Sequence, residues 1–131
     1  MPGAAPDTRA TACHGLGVVA YAQKNVREAR QHYSRAIELQ PTLAAAYRNR
    51  GLTWAAEVPP DYERALADAR RALELIPAFD DARRDVERSE QASKQQQLNR
   101  TSKDSRRDSD ERALARQNQN RLNRKRKRNK S

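Results

Sequence analysis

Apolar side chains in the first part of the chain recur at a helical spacing and predict a first pair of helices. The apolar face of the first helix consists of Leu16, Val19, Ala20 and Tyr21. Asn25 is expected to cap a second helix, with Glu28 as its capping-box partner three residues later. The apolar positions of this helix are Val26, Ala29, Tyr33, Ala36, Ile37 and Leu39. Pro41 ends it, because the residue before a proline disfavours the helical conformation.

The same pattern then returns and predicts a second pair of helices and a terminal one. We expect Thr42 to cap a third helix that runs through Glu57, and Pro59-Pro60-Asp61 to separate it from a fourth helix over Tyr62 to Leu75. Asp80 or Asp81 is expected to start a fifth helix that continues to about residue 92 or beyond. Its outer face is charged, while Ala82 and Val86 can dock inward, which is typical of a helix that caps an array.

The two pairs of helices are copies of one repeat. Gly17 and Gly51 are 34 residues apart, whereas Pro41 and Pro77 are 36 apart, so two residues are inserted between Trp54 and Ala65. Small residues occupy equivalent positions in both copies, and we expect helices to approach each other closely there. These residues are Gly17, Gly51, Ala29, Ala65, Ala36 and Ala72.

The repeat resembles the tetratricopeptide repeat family. The first copy agrees with the family pattern at Leu16-Gly17, Ala29, Tyr33, Ala36 and Pro41, and it departs at Cys13 and Ala20, where the family has aromatic residues. The second copy agrees at Tyr47, Gly51, Trp54, Ala65, Ala72 and Pro77, and it departs at Arg50, in place of leucine, and at Ala69, in place of an aromatic residue. The resemblance covers residues 10–79 and the helix that follows. It implies an all-α fold, a short solenoid of about five helices over residues 8–92, after a flexible N-terminus of residues 1–7.

In this family the first helices of the repeats line a concave groove that binds a peptide or a helix of a protein partner. The groove lining that the resemblance implies is His14, Val18, Tyr21, Arg48, Asn49, Leu52, Arg84, Asp85 and Arg88. For any single one of these residues, a merely solvated side chain is the competing interpretation.

One subfamily uses a clamp of Lys, Arg and Asn side chains for the C-terminal carboxylate of heat-shock chaperones. The corresponding positions here are His14, Val18, Asn49, Asp81 and Asp85. Only Asn49 agrees, and two acidic residues would repel a carboxylate. The sequence therefore disfavours a standard chaperone clamp.

Charge separates the repeats from the rest of the chain. The 131 residues include 27 Lys or Arg and 17 Asp or Glu, and the formal net charge is +10. Residues 1–92 are balanced, whereas residues 93–131 contain 14 basic and 4 acidic side chains. No aromatic residue follows Phe79. We therefore expect residues 93–131 to form a disordered or extended basic tail of low complexity.

The most basic part of the tail contains Arg121, Arg124, Lys125, Arg126, Lys127, Arg128 and Lys130. Three interpretations are open: a solvated charge cluster, an import signal for importin, or a contact with RNA or DNA phosphates. Arginine favours phosphate because its planar fork grips two oxygens. Residues 110–128 are rich in helix formers and could become helical on a nucleic acid or in an assembly.

No catalytic, metal or cofactor motif appears. Cys13 is expected to be a packing residue, and a single cysteine suits a reducing compartment. Ser109 follows Arg106 and Arg107 and resembles a kinase site, although an unmodified serine is favoured. Neither a membrane span nor a secretory signal is expected.

The leading hypothesis is thus a non-enzymatic adaptor, nuclear and/or cytoplasmic, with a partner-binding groove and a tail for import or nucleic-acid contact. A ribonucleoprotein component is the alternative, and a chaperone cofactor comes third.

Overall fold

The computed structural model describes residues 7–130, which contain five α-helices and no strand. They are α1 (Thr8–Ala22), α2 (Val26–Leu39), α3 (Ala44–Ala55), α4 (Tyr62–Leu75) and α5 (Asp80–Asn129). These residues fall into two compact units, divided between Ser93 and Lys94. The all-α prediction with about five helices is confirmed. The predicted N-terminal segment, residues 1–7, lies outside the described residues except for Asp7.

The first hairpin of helices, α1 and α2, closes around a glycine. A Cβ atom added to Gly17 would lie 2.5 and 2.6 Å from two ring carbons of Tyr33. Tyr33 is only 2% exposed and packs with Ala20 and Ala29. The ring therefore occupies the space that a side chain at Gly17 would need, as the repeat pattern predicted.

The second hairpin, α3 and α4, has the equivalent close approach at Gly51. A Cβ atom there would lie 3.1 Å from the carbonyl oxygen of Ala65. A buried cluster includes residues of α3, α4 and α5, and it consists of Ala44, Tyr47, Ala72 and Ala82. The four alanines predicted at close approaches, Ala29, Ala36, Ala65 and Ala72, are all buried.

Two predicted helix starts differ in detail. Asn25 precedes α2, but its side chain makes no capping hydrogen bond. Helix α3 begins after Leu43 rather than after Thr42, because Thr42 lies within the turn closed by the Leu43 amide donating to the Gln40 carbonyl at 3.1 Å. This helix ends at Ala55 rather than Glu57. Asp61, which was expected only to separate the two helices, caps α4 and accepts from the Arg64 amide at 3.1 Å.

The second unit differs from the disordered or extended tail that the sequence predicted, because its residues 94–129 are helical. No glycine follows Gly51 and no proline follows Pro77, so nothing in this part of the chain interrupts a helix. Side-chain hydrogen bonds one turn apart add local support, from Gln95 to Asn99 at 3.0 Å and from Gln119 to Asn123 at 3.1 Å. Every side chain from Gln97 to Lys130 is exposed.

Candidate functional site

The first helices of the repeats, α1 and α3, are joined by a polar contact between two predicted groove residues. The Asn49 Nδ2 and His14 Nε2 atoms are 2.9 Å apart. An amide nitrogen only donates, so Nε2 accepts and the imidazole is neutral. Burial lowers the pKa of His14, which favours the same neutral form. The His14 ring also lies 5.6 Å from the Tyr33 ring, centroid to centroid.

A second contact joins α3 to the first turns of α5. The Arg48 Nε atom donates to the Asp85 carboxylate at 2.6 Å, and the Asp85 side chain is only 7% exposed. Arg88, one turn further along α5, lies 4.0 Å from the same carboxylate and remains exposed. Two cations therefore share one buried acid, which leaves positive charge at the surface beside it.

A small cleft of about 50 Å³ opens beside this cluster. Arg48, Leu52, Asp85 and Arg88 line it together with small residues of α3 and α4. Its volume suits a few water molecules rather than a ligand. The structure thus brings four of the predicted groove residues to one place without forming a deep pocket.

Asp81 and Arg84 form an ion pair with each other at the start of α5. Arg84, helped by the positive charge of Arg48, holds the pKa of Asp81 below its usual value. Asp81 in turn raises the pKa of Arg84. Asp81 is therefore ionised at neutral pH, and both acidic residues at the clamp positions already have an arginine partner.

Val18 and Tyr21 complete the predicted lining from α1. Together with His14 they recur at intervals of four and three residues, so all three share one face of the helix. Val18 is 45% exposed and Tyr21 is 37% exposed. Leu16 and Val19, on another face of the same helix, are also about half exposed.

A cluster of cations between the repeats was not foreseen from the sequence. Arg30 of α2 donates to the Thr53 hydroxyl at 3.0 Å and to the Thr53 carbonyl at 3.1 Å, and it also pairs with Glu57. Its guanidinium lies 3.7 Å from the centre of the Trp54 ring, and that of Arg64 lies 4.7 Å from it. The partners are more than twenty positions from Arg30 in sequence, so no local pattern signals the pairing.

The repeats and the tail differ sharply in how their charges are paired. Among residues 7–93, eleven of the thirteen basic side chains form ion pairs with Asp or Glu. In the described part of the tail, the cations Arg100, Lys103, Arg107, Arg121 and Lys125 have neither an ion pair nor a hydrogen bond through their side chains. The predicted phosphosite Ser109 is exposed on this helix.

Two kinds of site find no support in the part of the chain that the structure describes. No three His, Cys, Asp or Glu side chains cluster there in a way that could hold a metal ion. No helix among these residues combines the length and the apolar character that crossing a bilayer requires.

Comparisons with known proteins agree with this architecture. The family model described as Tetratricopeptide repeat matches residues 10–43. Among 53 matching solved chains is the structure described as "TPR2B-domain:pHsp70-complex of yeast Sti1", with 24% sequence identity and a TM-score of 0.64. The match covers 68% of this chain and 70% of that one. A search of curated proteins returns no significant match.

Proposed function

We propose that this tetratricopeptide-repeat protein is a non-enzymatic adaptor, whose groove binds a peptide or a helix of a protein partner. The observation that carries the proposal is the pair of contacts His14–Asn49 and Arg48–Asp85. They link α1 to α3 and α3 to α5, so the helices expected to line the groove are held to one another by residues of the predicted lining.

The chemistry of the lining indicates the kind of segment that fits. Val18 and Tyr21 offer apolar surface on α1, whereas Arg88 offers an exposed cation on α5. The segment that fits this lining is amphipathic, with apolar side chains toward α1 and an acidic side chain toward Arg88 on α5. Covering these two side chains removes apolar surface from water, which favours association.

Binding of a partner is tested by affinity purification of the full chain, with two double variants of α1. Val18→Asp with Tyr21→Asp places charge on the groove face. Leu16→Asp with Val19→Asp places the same charge on similarly exposed side chains of another face and is the matched control. We expect the groove variant to lose a partner that the control retains. Retention by both variants would remove the support for the groove.

A standard chaperone clamp is not part of the proposal, although the similar yeast structure is described as a pHsp70 complex. Asp81 and Asp85 stand at two positions where that clamp needs cations, and an aspartate side chain cannot supply one. We expect a peptide with a free C-terminal carboxylate to bind this chain no better than the same peptide with an amidated terminus. A clear preference for the carboxylate, measured by fluorescence anisotropy, would restore the chaperone hypothesis.

A second candidate function, a ribonucleoprotein component, is favoured by the high density of cations in the tail. Phosphate binding through Arg121 to Lys130 would give an affinity that falls steeply with salt. The competing import interpretation needs an extended stretch at Lys125 to Arg128, where the structure has helix. Purification with and without nuclease separates the two. If partner proteins are recovered only without nuclease, the ribonucleoprotein role is favoured. If importin is recovered with and without nuclease, import is favoured. The proposed location is the nucleus and/or the cytoplasm.

A further inference from the structure

We propose that one face of the helix formed by residues 94–129 binds the phosphate backbone of a nucleic-acid duplex. This inference rests on the ribonucleoprotein candidate above and deepens it by naming the surface and the form of nucleic acid. Helical geometry turns each residue by about 100°, so a set of residues on one face can be read from their positions. The set defined here as the basic face is Arg100, Lys103, Arg106, Arg107, Arg121, Arg124, Lys125 and Arg128.

The basic face concentrates charge that the sequence spreads along the whole tail. It holds eight of the 14 cations of the tail within about one third of the helix circumference. Only one of the four acidic residues, Asp110, lies within the same sector. The rest of the circumference carries the other six cations together with three acids. By these counts the basic face has a net formal charge of +7, against +3 for the rest of the circumference.

The basic face is divided into two clusters. Lys103 and Arg121 are 18 residues apart, which is five full turns, so their side chains are aligned and about 27 Å apart. Asp110 and Leu114 lie between the clusters on the same face. The site therefore offers two separate contacts to one rigid polyanion rather than a continuous strip.

Five side chains of the basic face are available for an external partner. In residues 7–93 most arginines are already neutralised by carboxylates, as the ion pair between Arg50 and Asp68 at 2.8 Å illustrates. Arg100, Lys103, Arg107, Arg121 and Lys125 have no such partner among the described residues. Phosphate groups would be the first anions to pair with them, with arginine forks gripping two oxygens each.

The composition of the helix favours a duplex over a single strand and over a membrane. Single-strand binding relies on aromatic side chains that stack on bases, and residues 94–130 contain none. An interfacial membrane helix needs an apolar face opposite its basic one. Here the opposite face is largely polar as well, with Thr101, Ser105, Gln119 and Asn123 beside cations such as Arg112 and Lys130. Of the three ligands compared, the duplex fits best, because the helix can bind its phosphates without contacting the bases.

The test compares two triple variants of the full chain that remove the same charge from the same segment. Arg121→Gln, Lys125→Gln and Arg128→Gln change the basic face. Arg126→Gln, Lys127→Gln and Lys130→Gln change the rest of the circumference and serve as the matched control. Glutamine is a good helix former, so circular dichroism should show equal helicity in both variants.

A second pair of variants examines the other cluster. Arg100→Gln, Lys103→Gln and Arg107→Gln remove charge from the basic face. The control variant changes Lys94, Arg112 and Arg116 to glutamine. Binding is measured by fluorescence anisotropy at several salt concentrations, with a 24-base-pair RNA duplex, a DNA duplex of the same sequence, and a single strand of poly-uridine as probes.

We expect either basic-face variant to bind duplex at least ten-fold more weakly and to reduce the salt slope by about three, since each lost phosphate contact removes about one. The control variants should leave the salt slope close to that of the unmodified chain. The RNA and DNA arms show which duplex the helix prefers, and tighter binding to either duplex than to poly-uridine supports the proposal.

Equal losses in basic-face and control variants would overturn the helix-face inference but leave the ribonucleoprotein candidate in place, because a flexible tail binds through total charge. Stronger binding to the single strand would overturn the preference for a duplex. Absence of binding by the unmodified chain at low salt would overturn both the inference and the candidate function on which it rests.

Discussion

Replacing Gly17 by alanine should destabilise the repeats, although alanine favours helices. The new Cβ atom would lie 2.5–2.6 Å from two Tyr33 ring carbons, against a normal separation of about 3.5–4.0 Å. The ring is buried and must shift by about 1 Å, and such overpacking typically costs about 1–3 kcal/mol. The gain in helix propensity offsets about 1 kcal/mol of this. Since the clash is severe, we expect a net loss of about 1–2 kcal/mol in the free energy of unfolding.

Gly15→Ala provides the matched control, two residues away on the same helix. A Cβ atom at Gly15 has no neighbour within 4 Å, so only the propensity gain of about 0.5–1 kcal/mol applies. Differential scanning calorimetry of the full chain should show Tm falling by about 5–15 °C for Gly17→Ala and rising by about 2–8 °C for Gly15→Ala. An unchanged or higher Tm for Gly17→Ala would refute the close approach of Tyr33.

Further predictions concern polar groups of the repeats. The lowered pKa of His14 means that the unfolded chain takes up a proton first, so the free energy of unfolding should decrease as the pH falls below about 6.5. The His14→Gln variant should show a flatter dependence in urea titrations at several pH values. Asp68→Ala leaves Arg50, bound through two bonds of 2.8 Å, without its partner and should cost about 3 kcal/mol in urea unfolding. Replacing both by apolar residues should cost less, and a larger loss would contradict this reasoning. Tyr47→Phe removes the hydroxyl that donates to the Pro41 carbonyl at 3.0 Å, and calorimetry should register a loss of about 1 kcal/mol.

The sequence predicted the repeats well because the features that position them are local and periodic. Gly17 and Gly51 signal close approaches because they are small residues at equivalent positions of the two repeats, and the structure places Tyr33 and the Ala65 carbonyl against them. Proline at position 41 and aspartate at position 61 mark helix boundaries for equally local reasons. The groove residues could be proposed only through the family resemblance, since their positions depend on how successive helices pack.

Features that depend on distant partners could not be predicted. Arg30 looks like any exposed helical arginine in sequence, and its contacts with Trp54 and Glu57 exist only because the two repeats stack. The continuous helix over residues 94–129 differs from the expected disordered or extended tail for another reason. Its low content of large apolar residues argued for disorder, whereas its lack of glycine and proline allows a continuous helix when no tertiary packing is required.

The Trp54 ring has an experimental consequence. It is the only tryptophan in the chain, and the guanidinium groups of Arg30 from the first repeat and Arg64 from the second both lie close to it. Separation of the two repeats would remove Arg30 and expose more of the ring to water. The emission of this residue is thus an intrinsic reporter of repeat stacking, which can follow partner binding or unfolding without any attached label.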